Sequence, residues 1–143
     1  MKNPVLLKMA EVISTWFWVG KIRFAPGTWG TMAAIPFIYW LSLCGSVTYM
    51  VVTLSFVLVG ILAADLYENS LGEHDSSEIV IDEVVGIFIA MTWLPMTWQS
   101  LVLGFLIFRF FDIFKPFPIS WLDKKIKGGL GVMLDDVAAG LVT

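Results

Sequence analysis

Residues 47–64 of this chain run Val-Thr-Tyr-Met-Val-Val-Thr-Leu-Ser-Phe-Val-Leu-Val-Gly-Ile-Leu-Ala-Ala without a single charge. A helix needs about 20 apolar residues to cross the hydrocarbon of a bilayer, and about 17 at the least. This run is therefore long enough to span, and the remainder has the same cast. Of the 143 residues, 58% are hydrophobic and only 15% charged, and the mean hydropathy is +0.84. Ordinary soluble domains carry about 25% charge. Seven Trp and eleven Phe suit lipid-facing and interfacial positions. A soluble domain of this size cannot hide so much apolar surface. The expectation is one all-α domain over residues 1–143, an integral membrane helical bundle.

Three further apolar runs, 31–43, 84–94 and 99–111, punctuate the chain. Runs 31–43 and 99–111 reach spanning length only if their polar flanks join the helix. The alternative is helical hairpins that dip into the bilayer, or helices in a thinned membrane. Before them, Met9, Val12, Ile13, Trp16 and Phe17 recur at helical spacing. That pattern predicts an amphipathic interfacial helix over 1–20, closed by Gly20. No small-residue cleavage site follows, so the segment is not read as a signal peptide. The segment 137–143 is too short to span and reads as an incomplete last helix. The count is an interfacial helix plus about four to five membrane-embedded helices. Cys44 is the only cysteine, so no disulfide forms within the chain, and it reads as a packing residue.

Charge placement orients this arrangement. The turns 44–46 and 95–98 carry no charge, and every Lys and Arg lies on the other side of the paired runs. The positive-inside rule puts that side in the cytoplasm. Loops 21–30, 65–83 and 109–136 then converge on one polar face.

Four polar clusters lie on that face. In Ala25-Pro-Gly-Thr-Trp-Gly-Thr31, glycines permit close backbone approach, and the helix start that follows offers free N–H groups to a phosphate. Pro26, Gly27, Thr28, Gly30 and Thr31 are its candidate substrate contacts; the plain alternative is a turn with Thr28 or Thr31 as N-cap. In His74 to Gly86, Asp82 and Glu83 stand at the start of an apolar helix. They either complement the helix dipole or bind Mg²⁺, which favours carboxylate oxygen. His74, the single histidine, is a candidate general acid, and Asp75 or Glu78 a candidate supporting group or base. Arg109, Asp112 and Lys115 fall at i, i+3 and i+6, roughly one helix face. Arg offers a fork and Lys a point charge to phosphate; the rival reading is a local ion pair with a snorkelling Lys. Last, the glycine-rich turn 128–131, with Gly129 a candidate substrate contact, precedes Asp135 and Asp136. These acids either cap the final helix or complete a metal site with Asp82 and Glu83.

As a set, Ala25 to Gly30, Ile81 to Gly86, Phe108 to Ile119 and Gly128 to Gly140 resemble the phosphatidylglycerophosphatase A family, in that family's order and from about residue 25 to the end. The resemblance implies a multi-pass protein of the bacterial inner membrane. It implies a Mg²⁺-dependent phosphatase that converts phosphatidylglycerophosphate to phosphatidylglycerol, with its site facing the cytoplasm. One departure is expected: the family usually continues with a further apolar helix, which is missing or cut short here after Thr143.

The expected site therefore comprises Asp82, Glu83, Arg109, Asp112, Lys115 and His74 as catalytic groups, and Asp82, Glu83, Asp135 and Asp136 as metal ligands. The chain lacks an Asp-x-Asp signature, a Cys-x₅-Arg signature and paired histidines, so no carrier of a covalent intermediate is apparent. Direct attack by water on phosphorus is the favoured mechanism. The rival from another class is a small ion or metabolite transporter, whose acids belong mid-membrane and not at helix ends. A structural membrane subunit leaves the acid pairs unexplained.

Overall fold

A computed structural model describes residues 3–73 and 76–143. It consists of α1 (Pro4–Ser14), a short 3₁₀ turn (Val19–Lys21), α2 (Pro26–Ser42), α3 (Ser46–Leu71), α4 (Ile81–Ala90), α5 (Trp98–Phe114), α6 (Ile119–Lys125) and α7 (Gly128–Val142). The expected all-helical fold is what forms, with no strand among the described residues.

At the N-terminus, the Asn3 side chain accepts from Val5 N–H at 3.0 Å and Pro4 occupies the first turn, a favourable start. The helix ends at Ser14, well before the expected Gly20. Trp16, Phe17 and Trp18 all take positive φ, at 47°, 55° and 66°, which no continuing helix permits. Thr15 holds the reversal: its Oγ1 accepts from Trp18 N–H at 3.0 Å and its carbonyl from Gly20 N–H at 2.8 Å. The turn seats Gly20 on the Glu78 backbone, where a Cβ would lie 2.0 Å from the carbonyl oxygen.

The polar flanks of two apolar runs do join their helices. α2 and α5 each reach 17 residues, about 25 Å at 1.5 Å per residue. Among the described residues only α3, with 26, is long and apolar enough to cross a membrane. It is no hidden core helix, since 28% of its most apolar window is buried. Val47, Val51, Leu54, Leu58 and Leu62 face outward on it.

The interior is built around α4, which is only ten residues long. Ile81, Val84, Val85, Ile87 and Phe88 are all essentially unexposed, each burial contributing about 1.5–3 kcal/mol. A helix apolar nearly all round must be enclosed, and α2, α3, α5 and α7 enclose this one. Small residues bring α7 close to α4: a Cβ on Gly140 of α7 would sit 2.4 Å from the carbonyl oxygen of Gly86 on α4. Residues 128–131, expected as a turn, are instead the first turn of α7.

Candidate active site

One end of the bundle gathers the charges. α4 presents Asp82 and Glu83 from its first turn, where acids complement free N–H groups. α5 brings Arg109 and Asp112 from its last turns, with Lys115 as C-cap. α7 contributes Asp135 and Asp136 from mid-helix, and α2 its first residues, Pro26 and Gly27. All of these line one cavity of about 340 Å³. Asp135 and Asp136 therefore do not cap the last helix. Buried at mid-helix they gain no dipole stabilisation, and Asp136 is 1% exposed.

Asp82, Glu83 and Asp136 each place a carboxylate oxygen within 4.8 Å of the other two. Asp82 Oδ1, Glu83 Oε2 and Asp136 Oδ2 are buried, and none has a hydrogen-bond partner among the described residues. Burial, reinforced by the neighbouring Glu83 charge, pushes the Asp82 carboxyl well above the usual carboxylate range. Burial raises Glu83 as well. Three neighbouring acids, each with a buried oxygen that lacks a partner among the described residues, are costly unless a cation joins them. An all-carboxylate donor set is hard and suits Mg²⁺, so these residues fit that ion. Asp135, the fourth expected ligand, is divided: its Oδ2 lies 2.5 Å from Lys115 Nζ, while its Oδ1 is buried and, like the oxygens of the trio, has no hydrogen-bond partner among the described residues.

The cations are held on the acids beside the trio. Arg109 Nη1 pairs with Asp112 Oδ2 and lies 3.9 Å from Glu83 Oε1, while its Nε is buried with no partner among the described residues. Lys115 has φ 45°. It terminates α5 and does not continue the Arg109/Asp112 face, as i+6 spacing had implied. That left-handed backbone turns it toward α7 and Asp135, and Asp123 Oδ1 also lies 3.3 Å from its Nζ. Gly27 closes the cavity from α2. A Cβ there would meet Glu83 Oε1 at 2.3 Å, so any larger residue would have to displace the Glu83 carboxylate.

Not every expected residue reaches the cavity. Ala25 is the N-cap of α2, with no side-chain capping bond, so neither Thr28 nor Thr31 caps it. Thr28 is absent from the cavity lining. Thr31 is buried, its hydroxyl donating to Gly27 O at 2.8 Å. Gly30 is pressed on Val80, whose Cβ would lie 2.9 Å from an added Cβ. Gly129 belongs to the contact between α7 and α3. A Cβ there would meet Ile61 O at 2.3 Å, and its N–H donates to Asp65 Oδ1 at 3.3 Å. Glu78 accepts from the Tyr67 hydroxyl at 2.6 Å and faces Lys21 at 3.9 Å. His74 and Asp75 lie outside the described residues. Ser76 and Ser77 line the cavity without having been singled out, and Asp123 went unremarked. Membership of the polar segment that leads to Asp82 and Glu83 was the only signal for the serines, and for Asp123 there was none.

A family model described as Phosphatidylglycerophosphatase A matches residues 12–143. A Haemophilus influenzae protein named phosphatidylglycerophosphatase A is 39% identical over 143 residues, covering 99% of this chain and 88% of the relative. An Escherichia coli protein of the same name is 36% identical over 141 residues, covering 96% and 82%. A Bacteroides thetaiotaomicron protein named putative phosphatidylinositol-3-phosphatase is 38% identical over 151 residues, covering 99% and 91%. No solved structure matches the chain.

Proposed function

The chain belongs to the phosphatidylglycerophosphatase A family and is a phosphatase, and from that premise we propose that it hydrolyses phosphatidylglycerophosphate to phosphatidylglycerol and phosphate in the acid cavity. The observation that carries this reading is the buried Asp82/Glu83/Asp136 trio, with unpartnered oxygens, beside Arg109 and Lys115. Asp82, Glu83 and Asp136 would hold Mg²⁺. When bound, that ion supplies Lewis-acid neutralisation of the phosphoryl oxygens.

The chain's own residues do the rest. Arg109 and Lys115 face the terminal phosphate and stabilise the charge that its oxygens carry during transfer. Asp112 and Asp135 hold those two cations in place. The start of α2 adds N–H groups that lack helical acceptors, at the positive end of that helix dipole. Water attacks phosphorus, the bond from phosphorus to the glycerol oxygen breaks, and that oxygen leaves with a proton. The displaced water proton passes to a cavity carboxylate, which delivers it to the departing glycerol oxygen.

The bilayer reading rests on α3 and on the apolar side chains that α2, α3 and α5 turn outward, among them Trp40, Leu58 and Leu106. In this reading the helices embed in the bacterial inner membrane, the acid end meets the cytoplasm, and the acyl chains stay in lipid. The relatives lend no support to transport.

The test is phosphate release in detergent micelles with Mg²⁺, from phosphatidylglycerophosphate and from phosphatidylinositol 3-phosphate. The second lipid is chosen because of the Bacteroides relative's name. Faster release from phosphatidylglycerophosphate is expected. No release from folded protein, or faster release from the inositol lipid, contradicts the assignment.

A further inference from the structure

Phosphatidylglycerophosphate carries two phosphates, and the cavity accounts for one. The terminal monoester meets Arg109 and Lys115, whereas the diester that joins glycerol to the acylated half lies nearer the bilayer. That second anion has no partner in the cavity. At the mouth, Ala25 and Pro26 line the cavity, and the segment leading into them is Ile22-Arg23-Phe24. Arg23 is exposed and makes no ion pair among the described residues. Its neighbours on the N-terminal side are engaged: Lys8 and Lys21 both bind Glu11, at 2.7 and 2.6 Å. Lys124, Lys125 and Lys127 also lack an ion pair, but among these cations only Arg23 stands within two residues of the cavity lining. Two residues of chain span at most about 7 Å, so the guanidinium can reach across the mouth.

The flanks of Arg23 say which way it faces. Phe24 is 81% exposed, a value matched among the large apolar side chains only by Phe117. Phe117 stands two residues past Lys115, which also lines the cavity. Ile22 is exposed too. An exposed cation between apolar side chains suits the membrane–water boundary, where the apolar groups enter lipid and the cation stays at headgroup level.

Building on the function proposed above, we infer that Arg23 binds the phosphodiester of the lipid substrate at the mouth, while Phe24 enters the bilayer beside it. Arginine's fork suits a phosphodiester's two free oxygens. Arg23 sets affinity and selects lipids whose monoester lies beyond a diester; it takes no part in bond breaking.

The test uses the full chain in mixed micelles, with wild type, Arg23→Gln and Arg23→Lys. Phosphatidylglycerophosphate is the substrate. Phosphatidylglycerol, which keeps the diester and lacks the monoester, is the competitive inhibitor. Arg23→Gln is expected to raise both KM and the inhibition constant by the same factor, about tenfold for a lost charge-assisted bond, with kcat within twofold of wild type. Arg23→Lys falls between. Unchanged KM overturns the inference, as does a raised KM with an unmoved inhibition constant. Absence of release from wild type removes the phosphatase reading and this inference with it, and is distinguishable because no variant need be compared.

Discussion

Two cavities at opposite ends of the molecule differ sharply, and the larger of the two carries no charge. The far cavity, about 560 Å³, is lined by Tyr49, Met50, Met91, Trp93 and Met96 with neighbouring serines, Thr92, Leu94 and Pro95. The cavity at the charged end is about 340 Å³ and lined by five carboxylates, an arginine and a lysine. The far one has its polar groups settled locally; the Tyr49 hydroxyl donates to Phe88 O at 2.7 Å. The near one leaves buried carboxylate oxygens without partners. Unmet electrostatic demand, and not volume, marks where a ligand belongs.

Substitutions at the two ends should therefore diverge. Asp82→Asn/Asp136→Asn is expected to cut kcat on phosphatidylglycerophosphate by at least about 10³-fold, with helix content by circular dichroism unchanged. An active double variant breaks the contrast outright. Gly86→Ala acts between the ends, on packing. Its Cβ would meet Phe108 Cε2 at 2.4 Å and Asp136 O at 2.9 Å. It should cost about 1–3 kcal/mol, read as a lower unfolding temperature in detergent, and activity should fall as α7 shifts Asp136. Met50→Leu, at the far cavity, should leave kcat and KM within twofold. A tenfold loss there would show that the far cavity takes part.

Much of this contrast was legible in the chain, and the failures have a common cause. The uncharged run 47–64 became the centre of α3, and the pair Asp82/Glu83 opened α4 as its apolar continuation required. Arg109 and Asp112 share a helical face because their spacing dictates it. Spacing could not show that the chain leaves the helix at Lys115, whose left-handed backbone turns it to Asp135. Glycines misled most. Gly129 and Gly131 read as turn residues, yet they are helical, and what they supply is closeness: Gly129 to Ile61 of α3, Gly131 to Ile126, where a Cβ would lie 2.1 Å from the carbonyl oxygen. Close approach is a property of two segments, and one segment's sequence cannot declare it. That Asp135 gives one oxygen to Lys115 while Asp82, Glu83 and Asp136 converge is likewise a three-dimensional fact.

The most direct test of the central claim, that the trio is a divalent-cation site, is calorimetric titration of Mg²⁺ into the detergent-solubilised chain beside Asp82→Asn/Asp136→Asn. The account predicts saturable binding to wild type that is lost in the folded double variant. Equal binding by both proteins would contradict it.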